Sequence, residues 1–152
     1  MNTVKLELPL ESFLQQYREC ALWSSCATQT DEYGNAPYYD ETDMKLHAEA
    51  LKWFESDCKE FISHASKLEV TLDELAYLKH HAGEEFWLTR EHHGSGFWDK
   101  VNNPLLSHTR EVLTELSRAF GEASLQDDGK YIYQTSGNDD IAFDITKTPE
   151  TV

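Results

Sequence analysis

The chain has 152 residues, a length that suits one domain whose core needs neither disulfide nor metal. Its 28 acidic and 13 basic residues give a formal net charge of −15. This charge excludes general nucleic-acid binders, because phosphate contacts need clustered Lys and Arg, and it argues against docking on an anionic membrane. The composition instead indicates an acidic domain whose partner carries a basic surface.

The N-terminus and the cysteines predict a cytoplasmic location. Residues 1–10 alternate polar with apolar side chains, unlike a signal peptide, and no apolar run approaches the roughly 20 residues that span a bilayer. Cys20, Cys26 and Cys58 are odd in number and form no CxxC, which disfavours a disulfide framework or a zinc knuckle. Free thiols suit a reducing compartment.

Two helices are predicted in the first half of the chain. Apolar residues recur at helical spacing from about Leu10 to Ser24 and predict the first helix. Residues 25–40 are polar and contain glycine and proline, which is typical of a loop. A second helix is expected to begin near Thr42, because apolar residues keep the helical period from there to Ala65.

The pattern Thr71-x-x-Glu74 is a capping box and predicts the start of a third helix. Its periodicity extends to about Leu88 or Thr89, where we expect the helix to end. Gly83, inside this helix, either weakens it by about 1 kcal/mol relative to alanine or allows close packing at that point.

A fourth helix and a small sheet are predicted after it. Asn103-Pro104 has the pattern of an N-cap followed by proline at the first helical position, and Gly121 is a natural helix C-cap. Ala123–Gln126 and Lys130–Thr135 have the composition of two short strands, with an Asp-Asp-Gly turn signal between them. A third strand is expected near Ile141–Ile145.

These elements together predict one mostly helical α+β domain over residues 1–152. It has about four helices and a small antiparallel hairpin or sheet at its C-terminal end. The ordered core is expected to cover about residues 6–145, and residues 146–152 are expected to form a flexible tail.

The densest cluster of glycine, histidine and aromatic residues follows the third helix. It occupies residues 90–103 and begins Arg-Glu-His-His-Gly-Ser-Gly-Phe-Trp-Asp-Lys. Its composition predicts a loop. Gly94-Ser95-Gly96 could cradle a phosphate through backbone N–H groups, although the Lys-Ser/Thr ending of a P-loop is missing. The alternative is a tight loop whose glycines let Phe97 and Trp98 turn back onto the core.

Residues 82–99 resemble the motif AGHDFWLTRNGHGAGFWD of an uncharacterised family of small phage and mobile-element proteins. Residues 19–25 resemble the ECALWSS sequence near that family's N-terminus, and residues 119–122 and 127–133 resemble its AYGE and GDDGKIY sequences. The chain departs from the family's His, Asn and Gly at three positions, which here are Glu84, Glu91 and His92. The resemblance implies a phage or integrated-element origin and assigns no activity.

The first functional hypothesis is a non-enzymatic accessory protein that binds a host or phage protein and needs no cofactor. Aromatic side chains on rigid loops are frequent interface anchors. The candidate contact residues are Arg90, His92, His93, Phe97, Trp98 and Asp99. Carboxylates spaced like DNA phosphates would make the protein a nucleic-acid mimic, and the resemblance suggests an inhibitor of a host enzyme or an anti-defence protein.

The second hypothesis is a small metal-dependent hydrolase that acts on a nucleotide or nucleic acid. Imidazole and carboxylate side chains four residues apart share a helix face and could hold a divalent metal with an open position. The candidate ligands are His80, His81, Glu84, His92 and His93, with Asp99 in the loop that follows. The competing interpretation is an ordinary solvated helix face, because HHxxEE is not HExxH.

A third hypothesis is a homo-oligomeric structural protein with the Trp98 loop at its interface. Under all three hypotheses the protein is expected to have no membrane partner, and only the second involves nucleic acid directly.

Overall fold

A computed structural model of the chain describes residues 2–26, 45–46, 48–101, 103–123, 125–127, 131–134 and 143. These residues form four helices, namely α1 Leu10–Cys26, α2 Ala48–Ala65, α3 Leu72–Arg90 and α4 Ser107–Ala119. They also form short strands, namely β1 Thr3–Lys5, β2 Lys45–Leu46, β3 Glu69–Thr71, β4 Leu125–Asp127 and β5 Tyr131–Gln134. None of the helices in this part of the chain has the length and apolarity needed to cross a bilayer.

The predicted fold class, with its sheet at the C-terminal end, is wrong. β1 and β3 pair antiparallel, with Thr3 opposite Thr71 and Lys5 opposite Glu69, so a two-stranded sheet joins the N-terminus to the middle of the chain. Sequence patterns do not predict these strands, because three residues hold too few positions to show a two-residue period.

A strand from the first half of the chain also enters the second sheet, whose order is β2-β5-β4. β2 runs parallel to β5, with Lys45 opposite Tyr131, whereas β4 runs antiparallel to β5, with Gln126 opposite Tyr133. The sheet is therefore mixed. The second helix begins at Ala48 and not near Thr42, because β2 lies directly before it.

Of the two helix starts predicted from capping patterns, one is confirmed and one is wrong. The capping box of α3 is confirmed, since the Thr71 hydroxyl accepts from the N–H of Glu74 at 3.1 Å and the Glu74 carboxylate accepts from the N–H of Thr71 at 3.0 Å. The predicted start of α4 at Asn103-Pro104 is wrong, because the helix begins at Ser107. The Asn103 amide instead donates to the carbonyls of Gly96 and Phe97.

The ends of α1 and α4 lie close to the positions predicted from the sequence. α1 is confirmed and ends two residues beyond the predicted Ser24. α4 ends before Gly121, whose φ of 69° and N–H bond to the Arg118 carbonyl make it the expected left-handed terminator. Most of the predicted 25–40 loop, the 127–129 turn beyond Asp127, the Ile141–Ile145 strand apart from Phe143, and the 146–152 tail lie outside the described residues.

α1 and α3 lie against each other with little room between their backbones. A Cβ atom at Gly83 would collide with the Phe13 carbonyl oxygen and lie 2.8 Å from the Gln16 Cβ. The Gln16 amide reaches across, accepting from the Gly83 N–H at 3.0 Å and donating to the Lys79 carbonyl at 2.8 Å. Of the two roles predicted for Gly83, the structure therefore supports close packing.

The close approach of α1 and α3 brings aromatic side chains into one core. Phe61 of α2 stacks on Phe86 of α3 with ring centroids 4.4 Å apart, and on Phe97 from the loop after α3 at 5.9 Å. All three rings are fully buried. The loop is thus part of the same core as the helices.

Gly83→Ala is expected to destabilise the protein by about 1–3 kcal/mol, because overpacking outweighs the gain of about 1 kcal/mol in helix propensity. Gly94→Ala is the matched control, since an added Cβ there meets no atom within 4 Å; its effect should stay within about 0.5 kcal/mol. Urea denaturation measures both. A Gly83→Ala protein as stable as the control would contradict the close packing.

Candidate functional site

Arg90, predicted as a surface contact residue, is fully buried as the last residue of α3. Its Nη1 atom donates to Asp57 Oδ2 at 2.7 Å and to the Tyr17 hydroxyl at 3.0 Å. Its Nε atom donates to the carbonyl of Gly121 at 2.8 Å. The guanidinium therefore ties α3 to α1, to α2 and to the end of α4.

The rings of Phe86 and Phe120 also contact the guanidinium group, with centroids 5.4 and 5.5 Å from the guanidinium carbon of Arg90. Such contacts are attractive and are stronger when the cation is shielded from water. Burial also raises the pKa of the Tyr17 phenol, so its oxygen remains a neutral acceptor. A partner protein has no access to Arg90 in this arrangement.

Asp57 is the buried ion-pair partner of Arg90, and sequence reasoning missed it. It is as buried as Arg90 and also accepts from the Gln134 amide of β5 at 3.3 Å. A signal for it exists, because Phe54, Asp57 and Phe61 lie three and four residues apart on the apolar stripe of α2. An acid on such a stripe predicts a buried cation elsewhere in the chain.

The turn after α3 is a Schellman cap formed by the two loop histidines. The His92 N–H donates to the Thr89 carbonyl at 3.2 Å, and the His93 N–H donates to the Leu88 carbonyl at 3.0 Å. His92 has a φ of 57°, the left-handed conformation that such caps usually assign to glycine. These backbone bonds end the helix, and they leave the His92 side chain exposed and that of His93 half-buried.

Phe97 and Asp99, two further predicted contact residues, are also buried. The Phe97 N–H donates to the Thr89 hydroxyl at 3.0 Å, and the Asp99 N–H donates to the Gly96 carbonyl at 3.1 Å. Gly96 has a φ of 154° and lies against Thr89, where a Cβ atom would collide with the hydroxyl. These contacts support the tight-loop interpretation, since they hold Phe97 in the core and turn the chain back against the end of α3.

Trp98 is the member of the predicted contact set that places a large apolar side chain at the surface, with 39% of it exposed. Val101 is 89% exposed and Leu106 is 48% exposed in the same connection between α3 and α4. Sequence reasoning missed these two residues, because isolated aliphatic residues in a loop carry no distinctive pattern.

A groove of about 290 Å³ lies between Trp98 and the outer face of α4. Its lining includes three cationic side chains, which are Lys100, Arg110 and Arg118. Two carboxylates, Glu111 and Glu115, also line it. Positive charge is thus locally in slight excess in a chain whose formal net charge is −15.

The candidate metal ligands do not come together. His80, His81 and Glu84 are exposed on α3, and His81 packs on the ring of Tyr77 at 4.6 Å. Ten residues separate His80 from the end of α3, a rise of about 15 Å, and the loop histidines lie beyond that end. Within the described residues no group of three His, Cys, Asp or Glu side chains could hold a metal ion.

Glu85 is an unpredicted buried acid on α3. Burial, reinforced by the carboxylates of Glu84 and Asp99, raises the pKa of Glu85 to about 7, although a hydrogen bond from Tyr77 opposes the rise. Its Oε2 atom has no hydrogen-bond partner among the described residues. Glu85 therefore exchanges its proton near neutral pH.

The two cysteines whose side chains the structure describes do not resemble catalytic nucleophiles. Cys20 is half-buried and Cys58 is fully buried, and both are free thiols. Burial raises the pKa of Cys20 to about 12 and that of Cys58 well above its usual value. Both therefore remain protonated at neutral pH, where thiolate chemistry needs the opposite shift.

Comparisons of the chain with protein-family models, with curated proteins and with solved structures found no match. The roles of these residues therefore follow from their burial, contacts and charge.

Arg90→Met is expected to destabilise the protein by about 3–5 kcal/mol, because it leaves the Asp57 charge buried without its cation. Arg118→Met removes the same charge from an exposed position and should change stability by less than about 0.5 kcal/mol. Equilibrium unfolding in urea compares the two. Equal losses would show that the buried ion pair does not secure the end of α3.

Glu85→Gln is expected to flatten the dependence of stability on pH. The folded pKa of about 7 lies above the reference value of 4.5, so the free energy of unfolding falls as pH rises between these values and stays low above them. The full effect is about 3 kcal/mol. Glu85→Gln should therefore be more stable than the natural protein at pH 8, measured by thermal and urea unfolding across pH 4–9.

The exposed substitution Glu115→Gln is the control for this comparison and should retain the natural protein's pH profile. A profile that is the same in all three proteins would show that Glu85 does not hold its proton in the folded state.

Proposed function

We propose that the chain is a small acidic accessory protein that binds a host or phage protein with a basic surface and acts by binding rather than by catalysis. The observation that carries the proposal is the clustering of exposed apolar side chains on one connection. Of five large apolar side chains found exposed among the described residues, three lie between α3 and α4: Trp98, Val101 and Leu106. We call these three residues the apolar contact surface.

The rigidity of this surface supports a binding role. The loop that carries it is tied to the core through Phe97 and to α3 through Thr89. The Asp99 carboxylate accepts from the Val101 N–H at 2.9 Å, which orients the chain beyond Trp98. A preorganised surface loses little conformational entropy on binding, so more of its contact energy appears as affinity.

The charge of the chain supports the choice of partner. A formal net charge of −15 attracts basic surfaces over long range and raises the rate of association. The resemblance to phage and mobile-element proteins favours a partner in the host cytoplasm. Nucleic-acid mimicry and inhibition stay predictions, since several acidic groups, including Asp31, Asp40 and Asp139, lie outside the described residues.

The metal-dependent hydrolase has less support than the binding role. Its candidate ligands divide between the middle of α3 and the turn beyond its end. The homo-oligomer remains an outcome of the experiment below, because the apolar contact surface would also serve a second copy of the chain.

Trp98→Ala is expected to weaken partner binding by at least about tenfold, because buried tryptophans supply much of the energy of an interface, and Val101→Ser is expected to weaken it by a smaller factor. The partner is first captured from host lysate at low salt and identified by mass spectrometry. Affinities of the purified pair are then measured at low and high salt. Binding to a basic partner should weaken steeply as salt rises.

Leu51→Ser is the control, since Leu51 is an exposed leucine on α2 and not on the connection between α3 and α4. If it weakens binding as much as Val101→Ser, or if affinity does not depend on salt, the proposal fails. If the only molecule captured is a second copy of the chain, the oligomer hypothesis replaces it.

A further inference from the structure

We infer that the groove between Trp98 and the outer face of α4 binds a nucleoside monophosphate, a small ligand that goes beyond the protein partner proposed above. Its volume of about 290 Å³ lies at the lower end of the range for small-molecule sites. Its lining combines the partly exposed indole of Trp98 with a row of charged side chains. These are the two features that a phosphate ester with a flat ring requires.

The indole of Trp98 supplies the stacking surface. It is 39% exposed, and its Nε1 atom lies 3.1 Å from the position that a Cβ would occupy on Gly96. Gly96 thus allows the indole to lie close to the backbone of a loop that is itself bonded to α3. Stacking of a base on an aromatic ring is favourable and tolerates any base.

The cations of α4 form a stripe, because Arg110, Thr114 and Arg118 follow one another at four-residue intervals. Arg110 is oriented by donating to the Leu105 carbonyl at 2.8 Å. Arg118 is exposed, and its guanidinium makes no ion pair with another described residue. Arg118 is therefore available for bidentate contact with a phosphate.

Thr114 is an independent indication that the groove is built for a polar ligand. It is only 7% exposed and lines the groove. Its hydroxyl has no hydrogen-bond partner among the described residues, whereas the hydroxyl of the fully buried Ser117 bonds to the Leu113 carbonyl at 2.7 Å. An unsatisfied buried hydroxyl is unfavourable, and rotation of the Thr114 side chain toward the groove would let a ligand group bond to it.

The two carboxylates of the groove limit the negative charge that a bound ligand can carry. Glu111 and Glu115 can accept from ribose hydroxyls or base amino groups, but they also offset two of the three cations. The local charge suits the dianion of a monophosphate and not the four charges of a triphosphate. A nucleic-acid strand is repelled further by the formal net charge of −15.

The test is calorimetric titration of the full chain with AMP, GMP, CMP and UMP, and separately with adenosine, inorganic phosphate and ATP. We expect at least one monophosphate to bind one to one, at least about tenfold more tightly than adenosine, phosphate or ATP. Arg118→Gln should weaken monophosphate binding by at least about fivefold and leave adenosine binding unchanged. Trp98→Phe should retain binding and lose the ligand-induced change in tryptophan fluorescence.

Lys52→Gln is the matched control, because Lys52 lines a separate surface groove beside Trp53. The inference is overturned if no monophosphate binds, if ATP binds more tightly than AMP, or if Lys52→Gln and Arg118→Gln weaken binding equally. Its failure is distinguishable from failure of the protein partner, because Val101 is not part of the groove lining and tests only the partner.

Discussion

The buried ion pair of Arg90 and Asp57 fixes the geometry on which the rest of the structure depends. Two charges without solvent must be paired, because an unpaired charge in the core costs several kcal/mol. The guanidinium meets this demand by bonding to three helices or helix ends, through Asp57, Tyr17 and the Gly121 carbonyl. The end of α3 is therefore fixed, and the 91–103 loop leaves the core from that fixed point.

The residues of the distinctive segment 82–99 therefore fall into two groups, one that stabilises the fold and one that is exposed for binding. Phe86, Arg90, Gly96 and Phe97 are explained by folding, since they fill the core, pair charges or permit a close contact. Trp98 is exposed where its neighbours are buried. A segment can thus be highly distinctive mainly because it is structural, and the surface that remains for binding is small and rigid.

Sequence periodicity predicted α1 and the capping box of α3, because both depend on local patterns that repeat or have fixed spacing. It missed β1 and β3, whose pairing joins residues far apart in the chain. It also placed Arg90 among the surface contact residues and the HHxxEE acids, including Glu85, on a solvated helix face, because charged residues are rarely buried. Asp57 interrupts a regular apolar stripe, and that interruption is the signal that would have identified it.

The two proposed sites share Trp98 yet favour ligands of opposite charge, and the different ranges over which the charges act reconcile them. At a physiological Debye length of about 8 Å, the carboxylates elsewhere on the chain act weakly on the groove, whereas Arg118 acts at contact. Long-range attraction to a basic partner therefore fades as salt rises, together with the long-range repulsion of a small anion. Salt screens the contacts between the groove cations and a bound phosphate less strongly, because these contacts act over about 3–4 Å. One acidic domain can thus recruit a basic protein by its overall field and hold a small phosphate ester by local geometry.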